Sequence, residues 1–160
     1  MNREAAEADL AAVARIYAHY VAETVVTFDV EPLGVEGWRE KWQAREADHP
    51  WFVFEDAGEV LGYAIAGAFR PKAAYRPTVE TTIYLDPRAV GRGAGRSLYS
   101  ALLAEAGRRG FHLAVAGATL PNEASVRLHE TLGFTKVGVY TEVGHKFGEW
   151  HDVGWWQRLL

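Results

Sequence analysis

The chain has 160 residues, 49% of them hydrophobic and 24% charged, with a formal net charge of −4 and no cysteine. That composition suits one globular domain with a single core; it excludes disulfide stapling and thiolate catalysis, and its acidic balance argues against a nucleic-acid partner, whose binding draws on a basic surface. The longest apolar run, Val60 to Phe69, suits a strand rather than the roughly 18 residues of a membrane span, and Met1 to Asp9 lacks an apolar export core. A soluble, cytoplasmic protein is therefore expected.

In chain order, Leu10, Val13, Ile16, Tyr17, Tyr20 and Val21 recur at helical spacing behind Asp9, a candidate N-cap. A second helix is expected from Val35 to Ala47, stopped by His49-Pro50, because the residue before proline is pushed out of helical geometry. Trp51 to Glu55 and Val60 to Phe69 flank Asp56-Ala57-Gly58 and predict a hairpin. A loop from Arg70 to Pro77 precedes a strand from Thr78 to Leu85, in which alternation places Glu80, Thr82 and Tyr84 on one face. A helix from about Gly95 to Arg108 buries Leu98, Leu102 and Leu103, with Gly110 just past its end. His112 to Ala116 predicts a short strand, and Asn122 caps a helix that ends before Gly133. Lys136 to Val143 and His151 to Leu159 close the chain as a hairpin across a long loop. The sum is an α/β arrangement of the α+β kind: a mixed, mainly antiparallel sheet of about seven strands with helices on both faces.

The chemistry concentrates in Val90-Gly91-Arg92-Gly93-Ala94-Gly95-Arg96, between a strand and a helix. Glycines let the backbone come within hydrogen-bond reach of a ligand, and the helix N-terminus offers unpaired amides with partial positive charge. Arg88, Arg92 and Arg96 add a local positive spot suited to phosphates. The spacing fits neither a P-loop, which needs Lys-Ser/Thr after its last glycine, nor a dinucleotide fingerprint, which follows the first strand of a βαβ unit.

Ile83-Tyr84-Leu85, Pro87 and Gly91-Arg92-Gly93-Ala94-Gly95-Arg96-Ser97-Leu98 resemble the acetyl-CoA-binding motif of the GNAT superfamily, Arg/Gln-x-x-Gly-x-Gly/Ala. Setting the motif's glycines on Gly93 and Gly95 puts Val90 where Arg or Gln is usual; the other register starts at Arg88 and uses Gly91 and Gly93. The first register fits the position of Leu98. Asn122-Glu123-Ala124-Ser125 and Leu128-His129-Glu130-Thr131-Leu132-Gly133-Phe134 resemble the family's last cofactor-side helix, with His129 where many members carry a tyrosine acid. Together with Gly144 to Gln157, they make the chain similar to the phosphinothricin and methionine sulfoximine N-acetyltransferase branch over nearly its whole length.

The resemblance implies acetyl-CoA as co-substrate, a small amino-acid-like acceptor and transfer by direct attack in a ternary complex. It implies Ile83, Tyr84, Leu85, Val90, Gly91, Arg92, Gly93, Ala94, Gly95, Arg96 and Asn122 as cofactor contacts. Glu80 is implied as the base toward the acceptor amine, which attacks only unprotonated, and His129 as a helper in proton traffic or the acid toward the CoA thiolate. The Tyr84 and Leu85 amides are the expected oxyanion donors. Arg70, Lys72 and Tyr75 correspond to the branch's substrate loop, and Phe28, Thr82 and Val153 to an apolar lining.

Without the resemblance, Glu80 can equally be a solvent-facing strand carboxylate and His129 a satisfied core histidine. Other acceptors (a polyamine, an aminoglycoside, a protein N-terminus) or a CoA-binding module without turnover stay open. Trp150, Trp155 and Trp156 suggest core or subunit interface, and the branch implies a homodimer. His145, Glu149 and His151 lack a zinc spacing, so no metal is expected.

Overall fold

The structure is a computed structural model that describes every residue from Met1 to Leu160. The strands are β1 (Asn2–Glu4), β2 (Trp51–Asp56), β3 (Glu59–Ala68), β4 (Thr78–Leu85), β5 (Leu113–Leu120), β6 (Thr135–Lys146) and β7 (Glu149–Leu159). They form one seven-stranded sheet in the order β1-β2-β3-β4-β5-β7-β6, antiparallel throughout except between β4 and β5. Helices α1 (Leu10–Glu23) and α2 (Val35–Ala44) cover one face, packing Val13, Ile16, Tyr17 and Trp38 on Val53 and Tyr63. The other face carries α3 (Ala94–Arg108) and α4 (Glu123–Thr131), where Leu98, Tyr99 and Leu102 bury against Val79, Ala114 and Trp156. The expected mixed sheet with helices on both faces is thus present, and no helix is long and apolar enough to cross a membrane.

Local chemistry accounts for most boundaries. Ala57 and Gly58 both take positive φ between β2 and β3, the geometry of the tight primed hairpin turn. Asn122 accepts the Ser125 amide at 3.1 Å and so caps α4.

Three expectations are corrected, and strand β1 comes in addition to them. Strand β1 is too short to carry a period of its own; it pairs with β2 because Arg3 bridges Asp9 and Glu55 at 2.8 and 2.9 Å. Asp9 caps no helix with its side chain, which is spent on Arg3 and on the Ala6 amide. Helix α2 ends at Ala44, before the expected Ala47, and the Arg45 guanidinium folds back over the Trp42 ring. The closing hairpin has no long loop: β6 runs to Lys146 and turns at Phe147 and Gly148, both at positive φ. Of the three clustered tryptophans, Trp156 is core at 1% exposure, whereas Trp150 stands 64% exposed.

The functional geometry follows from one feature of this sheet. The parallel pairing of β4 with β5 stops at Glu80 and Val115, and beyond it the two strands splay into a fork.

Candidate active site

One arm of the fork leads into the glycine-rich turn. Gly91 and Gly93 adopt φ of +79° and +78°, a region where a side chain would strain the backbone by roughly 1–2 kcal/mol. Gly93 is the residue from which α3 starts, and the first helical bond is Ser97 N–H to Gly93 O at 3.1 Å. The amides of Ala94, Gly95 and Arg96 therefore have no carbonyl inside the chain, as expected of a helix start. They converge with the partial positive end of a helix of 15 residues, a cradle suited to a diphosphate.

The side chains around the cradle differ in availability. Arg88 is committed to Asp86 and Glu59 at 2.8 and 2.6 Å, and together with Arg15 it holds the Asp86 carboxyl well below the usual carboxylate range. Arg92 makes only a long 3.4 Å contact with Asp56. Arg96 is exposed and makes no hydrogen bond or ion pair. Val90 is 56% exposed and its amide turns back to Pro87 O, so it contributes no donor to the cradle.

Two adjoining cavities open at the fork and share Val26, Thr81, Thr82, Gly117 and Ala118. The first, about 60 Å³, continues along Ile83, Tyr84, Asn122, Ser125 and His129 toward α4 and lies on the cradle side. The second, about 170 Å³, is closed by Phe28, Glu80, Thr119, Val153 and Trp155. Of the expected acceptor lining, Phe28, Thr82 and Val153 are thus brought together around Glu80.

Strand alternation sorts the fork's groups. Val79, Ile83 and Leu85 pack on the α3 side, whereas Tyr84 packs on the α1 side, and Glu80 shares Tyr84's face by register. The Glu80 carboxyl is half-buried; desolvation raises it above the ordinary carboxylate value, with the Arg70 charge opposing. Burial pushes the Tyr84 phenol up to about 12, so it is a neutral hydroxyl among Tyr17, Tyr20 and Tyr63.

The same alternation decides which amides are open. Asp86 N–H donates to Leu61 O on β3 at 2.8 Å, which makes Tyr84 and Tyr63 the next mutually bonded pair and turns the Ile83 and Leu85 amides toward the fork. The expectation that the Tyr84 amide serves an oxyanion is corrected accordingly: it faces β3, and Ile83 and Leu85 offer the open donors.

His129 lies on the opposite side of the sheet from Glu80, 4% exposed. Its Nδ1 donates to Ser125 O at 2.7 Å, so its Nε2, 3.2 Å from the Tyr99 hydroxyl, accepts. Tyr99 in turn lies 2.5 Å from the Thr81 hydroxyl, which borders both cavities. Burial lowers the imidazole's proton affinity, only partly offset by the Ser125 carbonyl, so the ring is neutral at pH 7. Thr81 and Tyr99 were not singled out from the sequence. A signal existed: Tyr99 interrupts the aliphatic stripe Leu98-Leu102-Leu103, and Thr81 sits between Val79 and Ile83 on an apolar face. A buried hydroxyl on such a face needs a partner.

The Arg70 to Pro77 loop is only partly assembled with the rest. Arg70 is near enough to bias Glu80, and its guanidinium lies 4.3 Å from the Phe69 ring centroid. Lys72 and Tyr75 do not border the Glu80 cavity; they line a separate hollow of about 190 Å³ with Glu46, His49 and Arg76. There Arg76 pairs with Glu46 and Asp48 at 2.7 and 3.1 Å, which pins the loop to the segment before β2 and occupies the acids that stand beside His49.

Comparison with known proteins bears on this geometry. The acetyltransferase (GNAT) family model matches residues 13–134. A phosphinothricin N-acetyltransferase of Streptomyces coelicolor is 45% identical, the alignment covering 99% of this chain and 95% of that protein. An L-methionine sulfoximine/L-methionine sulfone acetyltransferase of Salmonella typhimurium is 40% identical over 99% of this chain and 93% of its own length. The crystal structure of a phosphinothricin acetyltransferase from Sinorhizobium meliloti in complex with acetyl-CoA superimposes with a TM-score of 0.95 at 34% identity, covering 100% of this chain and 88% of that one.

Proposed function

Because this chain belongs to the acetyltransferase (GNAT) family and is an acetyl-CoA-dependent N-acetyltransferase, we propose that its acceptor is the α-amino group of a small amino acid of the phosphinothricin, methionine sulfoximine or methionine sulfone kind. The observation that carries this reading is the 170 Å³ cavity at the fork, apolar at Phe28, Val153 and Trp155 and furnished with the half-buried carboxyl of Glu80. A cavity of that size suits an amino-acid side chain better than an aminoglycoside, and the single acid does not make the acidic lining a polyamine would take.

Bound acetyl-CoA supplies an acetyl thioester whose carbonyl carbon the amine attacks. The open amides of Ala94, Gly95 and Arg96, with Arg96 beside them, hold the diphosphate. Asn122 keeps its side-chain N–H donors for the pantetheine arm, since only its oxygen serves the α4 cap. Glu80, its proton affinity raised by burial, takes the proton of the acceptor's ammonium group, whose reference pKa is about 8. The Ile83 or Leu85 amide then donates to the carbonyl oxygen as negative charge grows on it. On the far side of the sheet, the Thr81-Tyr99-His129 chain takes up the second proton, which the nitrogen loses once its bond to the carbonyl carbon has formed; neutral His129 receives it at Nε2, and the chain returns it to the sulfur as the C–S bond breaks. Base and relay stand on opposite faces of β4, as a reaction with one proton to remove and another to deliver calls for.

The reading includes a homodimer, supported by the large apolar side chains exposed on the β6–β7 hairpin, with Val137, Tyr140 and Trp150 at 61%, 61% and 64%. A thiol-release assay tests the acceptor. Acetyl-CoA with phosphinothricin, methionine sulfoximine or methionine sulfone is expected to release CoA thiol well above the hydrolysis background, and spermidine is not. Turnover confined to spermidine would overturn the acceptor; tight acetyl-CoA binding without turnover on any amine would favour a CoA-binding module.

A further inference from the structure

The chain contains one buried lysine that neither the cradle nor the proton chemistry uses. Lys146, the last residue of β6, is 3% exposed. Its Nζ donates to Val21 O at 2.8 Å and to Thr27 O at 2.9 Å. Burying an ammonium group is costly unless its donors are satisfied, and a hydrophobic residue of similar length would fill the space without that cost. The two carbonyls explain the choice. Val21 lies in the last turn of α1, where carbonyls lack helical partners and the helix end favours a cation. Thr27 lies between Val26 and Phe28, both walls of the Glu80 cavity.

A second contact joins the same two segments. The Phe28 ring lies against Gly144, where any Cβ would overlap it, so glycine there is what lets the loop after α1 close onto β6. The loop's other anchor belongs to its own helix: the Tyr17 hydroxyl meets Thr27 Oγ1 at 2.7 Å. Lys146, the Phe28–Gly144 contact and the Phe28 ring beside His151, 6.0 Å between centroids, thus tie this loop to the hairpin whose second strand supplies Val153 and Trp155, the opposite wall.

We propose that Lys146 is a positioning residue for acceptor specificity: it clamps the segment carrying Val26 and Phe28 to the β6–β7 hairpin and so sets the width of the cavity beside Glu80. It touches no reacting atom, and it lies away from the cradle, so its effect falls on the acceptor and not on acetyl-CoA. The inference rests on the acceptor reading above.

Two substitutions test it from opposite ends of the clamp. Lys146→Met removes the donors at nearly constant volume, and Gly144→Ala pushes Phe28 off its seat. Each is expected to raise KM for the best amino-acid acceptor about tenfold, to leave acetyl-CoA KM within about twofold, and to speed amide hydrogen exchange over residues 24–29 without changing it over 91–96. Lys146→Arg, which keeps donors for both carbonyls, is expected to restore acceptor KM to within about threefold of wild type. A folded Lys146→Met protein with wild-type exchange and wild-type acceptor KM would overturn the proposal. Should Lys146→Met not fold, an unchanged acceptor KM in Gly144→Ala would do the same. If the wild-type protein acetylates none of the amino acids, the acceptor reading fails, while the exchange comparison still decides whether the clamp exists.

Discussion

The two sides of the fork are built by different means. The cradle side is made of backbone: within one short run, Val90 to Arg96, two glycines at positive φ set up a helix start that leaves the amides of Ala94, Gly95 and Arg96 open. The acceptor side is made of side chains drawn from five separate segments, with Val26 and Phe28 before α2, Glu80 and Thr82 on β4, Gly117 to Thr119 on β5, and Val153 and Trp155 on β7, the loop itself held by Lys146 from β6. Relatives of this chain share acetyl transfer and differ in the acceptor, phosphinothricin in one and methionine sulfoximine or sulfone in another. A donor site of main-chain amides tolerates side-chain change, and an acceptor site of scattered side chains can be altered without disturbing it.

Mutations ought to divide along that line. The largest effect is expected from Glu80→Gln, which should lower kcat by at least about a hundredfold while acetyl-CoA affinity measured by calorimetry stays within twofold. Loss of acetyl-CoA binding in that variant would show that the two sides are not separable. Next, Gly93→Ala forces a side chain into left-handed geometry with no clash to blame, since nothing lies within 4 Å of the added carbon. About tenfold weaker acetyl-CoA binding with acceptor KM nearly unchanged is the expected outcome.

Tyr99→Phe sharpens the division between the faces of β4. It strands His129 Nε2 in the core, which should cost about 1–2 kcal/mol of stability on a denaturant curve, and it should lower kcat by about three- to tenfold with both KM values intact. An unchanged kcat would reduce the Thr81-Tyr99-His129 chain to a structural bond.

The pH profile separates base from relay. Glu80 must be ionised to act, and burial raises its proton affinity, so kcat should fall as pH drops through a point above the ordinary carboxylate range. That acid limb should vanish in Glu80→Gln and survive in Tyr99→Phe. The smallest effect belongs to Lys72→Ala. Lys72 lines a hollow apart from the Glu80 cavity, and acceptor KM is expected to change by less than about twofold; a tenfold rise would mean that the loop moves inward when substrate binds.

The cradle was legible because its determinants are contiguous. A run of glycines before a helical stripe states its own backbone geometry, and β4 matched its expected span of Thr78 to Leu85 because alternation is a local property. The Asn122 cap was readable for the same reason. Strand β1 was not, being three residues whose pairing depends on Arg3 reaching Asp9 and Glu55. Nor was the direction of the β4 amides: side-chain alternation shows which face Tyr84 takes, but only its pairing with Tyr63 on β3 shows that its amide is engaged.

By itself, then, the sequence determined the order of elements from α1 onward, the glycine turn that opens α3 and the face on which Glu80 stands, each governed by backbone preferences that act over a few residues. Only the tertiary structure decided that Thr81 and Tyr99 join His129, that Lys72 and Tyr75 fall outside the cavity beside Glu80, and that Lys146 bonds the Val21 and Thr27 carbonyls. Those contacts span 18 to 125 positions along the chain. Burial and the satisfaction of buried polar groups select such contacts, and neither is defined until the sheet has assembled and its layers have packed.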